Sequence, residues 1–276
     1  MTQDDFLKLQ KTQLETMDEI HRVCVTHKIT YYIIGGTLLG AVRHGGMIPW
    51  DCDIDIAMPR CDYDRFKSLC GTELSERYLY RDYLNTDSFT RPHALICVKN
   101  TSLRTRTAKY NDHVADLGIY LDIFPLDNAP DEAAMQAEQA RAIRRIATRK
   151  DIIMAYMHDG SAIKKIAKKI RKLTLFYTSI NKLNAEMDRE MRRYNGKETG
   201  YLCSMASHYS YEKQCMSREI YGTPQLIAFE GRAYFAPALT DAYLTRIYGQ
   251  YMTPPGDAEK QKCRDYFEFV SFDKVM

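Results

Sequence analysis

Apolar residues recur at positions 6, 9, 14, 17, 20 and 24 with charged residues between them, the spacing of a helix with one buried stripe over Phe6–His27. The rhythm then changes. Tyr31 to Ile34 is a short aromatic and β-branched run ending on Gly35-Gly36, which predicts a strand entering a turn, with the first helix covering it. Thr37 opens a helical run, LLGAVR, that Gly45-Gly46 ends. Pro49 holds the chain extended before Trp50, and Asp51-Cys52-Asp53-Ile54-Asp55-Ile56 alternates with period two. In a strand, that alternation turns Asp51, Asp53 and Asp55 to one face and Cys52, Ile54 and Ile56 to the other. Pro59 stops the run, and Asp62 to Leu69 restarts as a helix with Asp62 as candidate cap and Tyr63 and Phe66 facing the core.

Farther along, Ala94 to Val98 reads as a buried strand, followed by Lys99-Asn100-Thr101 and a polar loop carrying Arg104, Arg106 and Lys109. Gly118 to Pro125 is a further strand, with Tyr120, Asp122 and Phe124 on one face and Ile119, Leu121 and Ile123 on the other, and Asp127 is expected in a turn or cap. From Asp131 to about Asn195 there is no proline and little β-branching, which predicts a helical insert. Within it Ile163, Ile166, Ile170 and Leu173 follow helical spacing among five lysines, a basic amphipathic helix. After Gly200 the chain is tyrosine-rich. Phe229-Glu230-Gly231 reads as a strand entering a turn, and Pro237 to Gly249 as a helix with Ala238, Tyr243, Leu244 and Ile247 inward; the tail after Pro254-Pro255 carries no clear pattern. The expected fold is α/β: a mixed-sheet core over 1–130, a helical insert over 131–199, and 200–276 returning to complete the catalytic unit.

Composition narrows this only a little. A chain of 276 residues can bury a substantial core, and a net charge of +3 excludes neither small-molecule nor membrane-surface work. The opening MTQDDFLKLQ lacks a basic region followed by an apolar one, and no run approaches the roughly 18 apolar residues of a membrane span, so a cytoplasmic protein is expected. Eight cysteines show no zinc-site spacing and read as free thiols. Basic residues of the insert are not interleaved with aromatics, which argues against nucleic acid. Its lysine-rich helix, 163–173, is either a solvated face or a contact to an anionic membrane surface or phosphorylated acceptor.

The candidate chemistry lies between Tyr31 and Arg60. Gly35-Gly36 is either a tight turn or a place where a phosphate approaches the backbone, with Thr37 capping the helix or bonding the phosphate and the first free N–H groups attracting the anion. Three aligned carboxylates repel one another. Hard oxygens of this kind suit Mg²⁺ or Mn²⁺, which would remove the repulsion; the other reading is an exposed acidic edge strand with its isoleucine face buried. An acidic strand just after a possible phosphate-binding turn favours the metal. Asp122, among apolar neighbours, is expected at the same site if its strand lies beside the acidic one, as a second-metal ligand or as base for an acceptor hydroxyl. Lys99 is either a phosphate contact or a solvated strand end.

A glycine turn, a helix and an aspartate-x-aspartate strand is the arrangement of the nucleotidyltransferase fold. More closely, GTLLGAVRHGGMIPWDCDIDIAMPR, YLDIFPLD at 120–127 and FEGRAYFAPALTDAYLTRIYG at 229–249, followed by Pro254, resemble the LicD family, which includes fukutin and fukutin-related protein. Bacterial members usually carry an acidic residue where this chain has Cys52, but a side chain facing away from Asp51 and Asp53 need not be a metal ligand. The resemblance implies transfer of a substituted phosphate, such as phosphocholine or a polyol phosphate, from CDP-choline or CDP-ribitol to a sugar hydroxyl. The acceptor would be a cell-surface glycan such as lipopolysaccharide, teichoic acid or capsule, or its lipid-linked precursor, and CMP would leave. It implies Asp53 and Asp55 as ligands of Mg²⁺, Asp51 as third ligand or support, Gly35, Gly36 and Thr37 as phosphate cradle, Arg43 and Lys99 as added positive charge, and Asp122 as base. His44 is expected to be structural and Glu230 either reaches the site or belongs to a hairpin. A choline donor would call for a box of aromatic faces, and twenty tyrosines are available. Two other functions remain: a nucleotidyltransferase that joins NMP from an NTP to a small molecule, and a non-catalytic binding module, against which the clustered carboxylates argue.

Overall fold

The structure, a computed structural model, describes residues 1–105, 117–158 and 178–273. Arg106, Lys109 and the predicted basic helix 163–173 lie outside them. The first apolar stripe forms α1 (Gln3–Thr26), started by a capping box in which the Thr2 hydroxyl accepts the Asp5 N–H at 3.1 Å and the Asp5 carboxylate accepts the Thr2 N–H at 3.0 Å. Then come β1 (Tyr32–Ile33), α2 (Gly35–His44), β2 (Asp55–Pro59), α3 (Arg60–Glu73), β3 (Tyr78–Arg81), β4 (Ala94–Val98), β5 (Ser102–Thr105) and β6 (Ile119–Ala129). The helices α4 (Ala133–His158) and α5 (Ile180–Met191) precede β7 (Tyr201–Cys203), α6 (Tyr211–Gln214), β8 (Cys215–Ser217) and α7 (Arg218–Tyr221). The chain closes with β9 (Gln225–Phe229), β10 (Arg232–Ala236), α8 (Thr240–Tyr248), α9 (Asp257–Tyr266) and β11 (Phe267–Ser271).

The α/β class is the predicted one, and its sheet is mixed. Its order is β1-β2-β6-β4-β3, with β2 and β6 parallel and the other neighbours antiparallel, and the later part of β6 carries β7, which carries β8. Strands β4 and β6 are buried almost throughout, as expected when both faces of a sheet are covered. One cover is α1, whose buried Gln13 donates from Nε2 to the Tyr120 carbonyl at 2.6 Å. Another comes from the predicted insert: Leu183, Met187 and Met191 of α5 share the core of the sheet. The tail that showed no pattern forms α9 and β11, and β11 pairs with β5.

Two expectations are corrected here. Asp62 does not cap α3, whose cap position is held by Pro59; it lies in the first turn and pairs with Arg65 at 3.1 Å. Asp127 is neither a turn nor a cap. Pro125 pairs opposite Met58 without ending β6, so the strand continues and carries Asp127, 0% exposed, into the core. There the carboxylate accepts from Arg60 Nε and Nη2, both at 2.7 Å, and from Asn195 Nδ2 at 2.6 Å, while Arg60 Nη1 reaches Asp188 on α5 at 2.9 Å. The pair bolts the start of α3 to β6 and to α5. Arg60→Met strands the Asp127 charge and is expected to cost about 3–5 kcal/mol in urea unfolding, of which adding Asp127→Asn recovers roughly half.

Candidate functional site

The parallel pairing of β2 with β6 sets Asp55 opposite Asp122. This is the adjacency that brings Asp122 to the acidic segment. Burial alternates as the sequence pattern requires: Cys52, Ile54 and Ile56 are buried and Asp51, Asp53 and Asp55 partly exposed. The strand itself starts only at Asp55, however, and 51–54, expected as strand, form no regular element. β1 offers partners only as far as Ile33, opposite Ile56, before the chain turns into α2.

The glycine pair makes room for carboxylates. A Cβ on Gly36 would lie 3.2 Å from Asp51 Oδ2, and one on Gly35, whose φ is +55°, would lie 3.4 Å from Asp55 Oδ2. The first turn of α2, where backbone N–H groups have no helical partner, therefore stands beside two carboxylates. The Gly35 N–H is taken by the Tyr243 hydroxyl at 3.4 Å. Thr37 does not cap the helix: Ile34 holds the cap position without a side-chain bond, and Thr37 Oγ1 accepts the Asp55 N–H at 2.8 Å, fixing the backbone of that carboxylate.

The charges are in tension. Burial, then the charges of Asp51 and Asp55, push Asp53 well above the usual carboxylate range; burial, then Asp122 and Asp51, do the same to Asp55. Burial also raises Asp51, partly offset by hydrogen bonds from Asp53 and Cys52. At Asp122 burial acts in the same direction but loses: Arg91 Nη1 at 3.1 Å and His93 Nε2 at 2.6 Å hold the carboxyl below its ordinary value. Among the described residues, the ion pairs of this cluster fall on Asp122. No three described His, Cys, Asp or Glu groups already form a ligand set. Mg²⁺ at phosphate-transfer sites takes one or two carboxylates and completes its shell with water and substrate oxygens, so the hard donors Asp53 and Asp55, short of positive charge, fit such an ion.

A cleft of about 830 Å³ opens onto Asp53, Asp55 and Asp122 and is walled by Arg91, His93, Phe124, Lys150, Tyr209 and Tyr266. Arg91 also donates to the Tyr120 hydroxyl at 2.7 Å. Arg91, His93 and Lys150 were not singled out from the sequence. The Arg91-Pro92-His93 run directly before a buried strand was the available signal, but only the register that sets Leu95 opposite Asp122 gives it meaning.

Other expected residues stand elsewhere. Lys99 is exposed beyond the far end of β4, past Val98, which pairs with Ile119. Arg43 turns from the last turn of α2 to the Tyr251 carbonyl at 2.9 Å and lies over Trp50. His44 packs edge-on to Trp50, with ring centroids 5.6 Å apart. Glu230 sits in the β9–β10 turn, where its N–H donates to the Gly45 carbonyl at 3.0 Å and its Oε1 accepts the Met47 N–H at 3.0 Å. It clasps the loop after α2.

Residues 28–129 match the family model described as LicD/FKTN/FKRP, nucleotidyltransferase domain. Over 257 residues, 90% of this chain and 91% of the relative, the sequence is 28% identical to the lipopolysaccharide cholinephosphotransferase LicD of Haemophilus influenzae. A stretch of 45 residues, 16% of this chain and 9% of the relative, is 44% identical to the ribitol 5-phosphate transferase FKRP of Homo sapiens and of Mus musculus.

Two outcomes follow from the glycines and the repulsion. Gly35→Ala, forced into a left-handed backbone, is expected to lower stability by about 1–2 kcal/mol in urea unfolding. Asp53→Asn is expected to stabilise the protein at neutral pH in thermal melts without added metal, since a raised carboxyl pKa opposes folding above the unfolded value.

Proposed function

We propose that this chain, whose residues 28–129 match the LicD family model, moves a substituted phosphate from a CDP-linked donor to a sugar hydroxyl of a cell-surface glycan or its lipid-linked precursor, releasing CMP. One relative is named for phosphocholine transfer to lipopolysaccharide and another for ribitol 5-phosphate transfer. Transfer of a phosphate-bearing group is common to both. The observation that carries the reading is the Asp55–Asp122 register, which joins carboxylates from two neighbouring strands at the mouth of one cleft.

Asp53 and Asp55 would hold Mg²⁺, or Mn²⁺, with Asp51 in support beside Gly36. When bound, the ion supplies neutralisation of the diphosphate and of the charge building on departing CMP. The chain's own groups do the rest. Thr37 anchors the backbone of Asp55, and the glycine turn admits its carboxylate to the start of α2. Arg91 sets a fixed positive charge beside the reacting phosphate and holds Asp122 ionised together with His93. Both bonds fall on Asp122 Oδ1, which leaves Oδ2 to take the proton of the attacking hydroxyl. Positioning and charge neutralisation, not covalent chemistry by the protein, account for most of the acceleration in such a transfer. Among the described residues no helix is long and apolar enough to cross a membrane.

The test is nucleotide release from CDP-choline, CDP-ribitol and CDP-glycerol, with CTP as control, in Mg²⁺ or EDTA and with a cell-envelope glycan fraction as acceptor. The expected outcome is CMP from one donor, lost in EDTA and lowered at least a hundredfold in Asp55→Asn, about 2.7 kcal/mol of barrier. Pyrophosphate from CTP with no CMP from any CDP-alcohol would replace this reading with nucleotidyl transfer.

A further inference from the structure

Two buried polar groups on the cleft wall have bonding capacity that the described residues leave unused. The first is Lys150 of α4, 4% exposed, whose Nζ donates to Asn184 Oδ1 at 2.5 Å. Asn184, 1% exposed, is fixed in orientation because its Nδ2 donates to the Phe89 carbonyl at 2.6 Å, so the oxygen is the atom turned to the lysine. An ammonium carries three N–H donors, and among the described residues no carboxylate forms an ion pair with this one. Burial, against a weaker opposing pull from Asp151, brings the ammonium down to about 8.

The second is His93, 9% exposed, its ring stacked on Phe124 with centroids 4.1 Å apart. Asp122 Oδ1 already accepts from Arg91, and with His93 Nε2 donating to the same oxygen the neutral ring carries a bare lone pair on its other nitrogen. That Nδ1 is buried and, among the described residues, has no partner, on a side chain that lines the cleft. Lys150 is near enough for its charge to oppose protonation of the same ring.

The wall thus asks for a ligand that accepts from Lys150 and donates to His93. A hydroxyl does both: its oxygen accepts and its hydrogen donates. A quaternary ammonium does neither and repeats the charge of Lys150; a fully ionised phosphate would accept from the lysine but meet the imidazole lone pair with its own. We propose that His93 and Lys150 form a subsite for a hydroxylated group of the substrate, a sugar or a polyol. The inference rests on the transfer reading above for which molecule brings that group: the acceptor sugar or the alcohol of the donor.

The test uses the full chain with Mg²⁺ and the variant Lys150→Met, which keeps length and removes an unpaired buried charge. Equilibrium binding of CDP, CDP-ribitol and CDP-choline is measured beside the KM for the glycan acceptor. CDP binding is expected to stay within about twofold of wild type, showing the nucleotide site intact. If the donor alcohol fills the subsite, CDP-ribitol affinity falls about ten- to a hundredfold while CDP-choline affinity does not. If the acceptor sugar fills it, both donors bind as before and the acceptor KM rises by a similar factor. Unchanged donor affinities together with an unchanged KM overturn the subsite, as does a loss already present with CDP alone, which would put Lys150 on the nucleotide. Failure of the transfer reading looks different: wild type would bind no CDP compound. Free ribitol at molar concentration then decides, raising the melting point of wild type but not of Lys150→Met if the subsite exists, and shifting both alike if it does not.

Discussion

The structure depends on one pairing, the parallel ladder in which Asp55 faces Asp122. It forces like charges together inside a partly buried cleft, and much of what surrounds it manages that conflict. Thr37 spends its hydroxyl on the Asp55 backbone, the start of α2 lends its free N–H end, and Arg91 and His93 neutralise Asp122. Among the described residues no ion pair reaches Asp53. The positive partners are thus concentrated on one side of the cluster, and the carboxylates of the other side keep their mutual repulsion.

A consequence is a division of labour between the two strands. The β2 side carries carboxylates whose protons are hard to remove, because burial and like charge both oppose their ionisation. The β6 side carries a carboxylate already ionised by permanent partners. Two acids of one kind are thus given different chemistry by their neighbours alone, in the way that paired catalytic carboxylates commonly are.

Much of this could be read from the chain before folding. Period-two burial from Cys52 to Ile56 holds although the ladder begins only at Asp55, because burial follows side-chain alternation while pairing needs a neighbour. The two faces of the Gly118–Pro125 run hold as well, but the strand outlasts its proline, and Asp127 therefore enters the core where a turn residue was expected. Arg91, His93 and Lys150 were illegible for a different reason. They reach the cleft from two places in the sequence, the run before β4 and the helix α4, through strand register and helix packing, and no local pattern encodes either. Lys99 shows the reverse: it sits next to the correct strand, at its wrong end. Gly35 and Gly36 were visible as special, yet the occupant of the space they leave is a carboxylate of the same chain.

The order in which the cleft's walls occur along the chain has a bearing on its biosynthesis. The clustered carboxylates Asp53, Asp55 and Asp122 are complete by position 122, but Lys150, Tyr209 and Tyr266 follow at long intervals, and Tyr266 stands directly before the strand that docks on β5. A growing polypeptide emerging from the ribosome would hold these carboxylates well before the groups that enclose them are made. Closure of the cleft thus waits on more than 140 further residues, and a product broken off between Asp122 and Tyr266 is left with a cleft that lacks a wall.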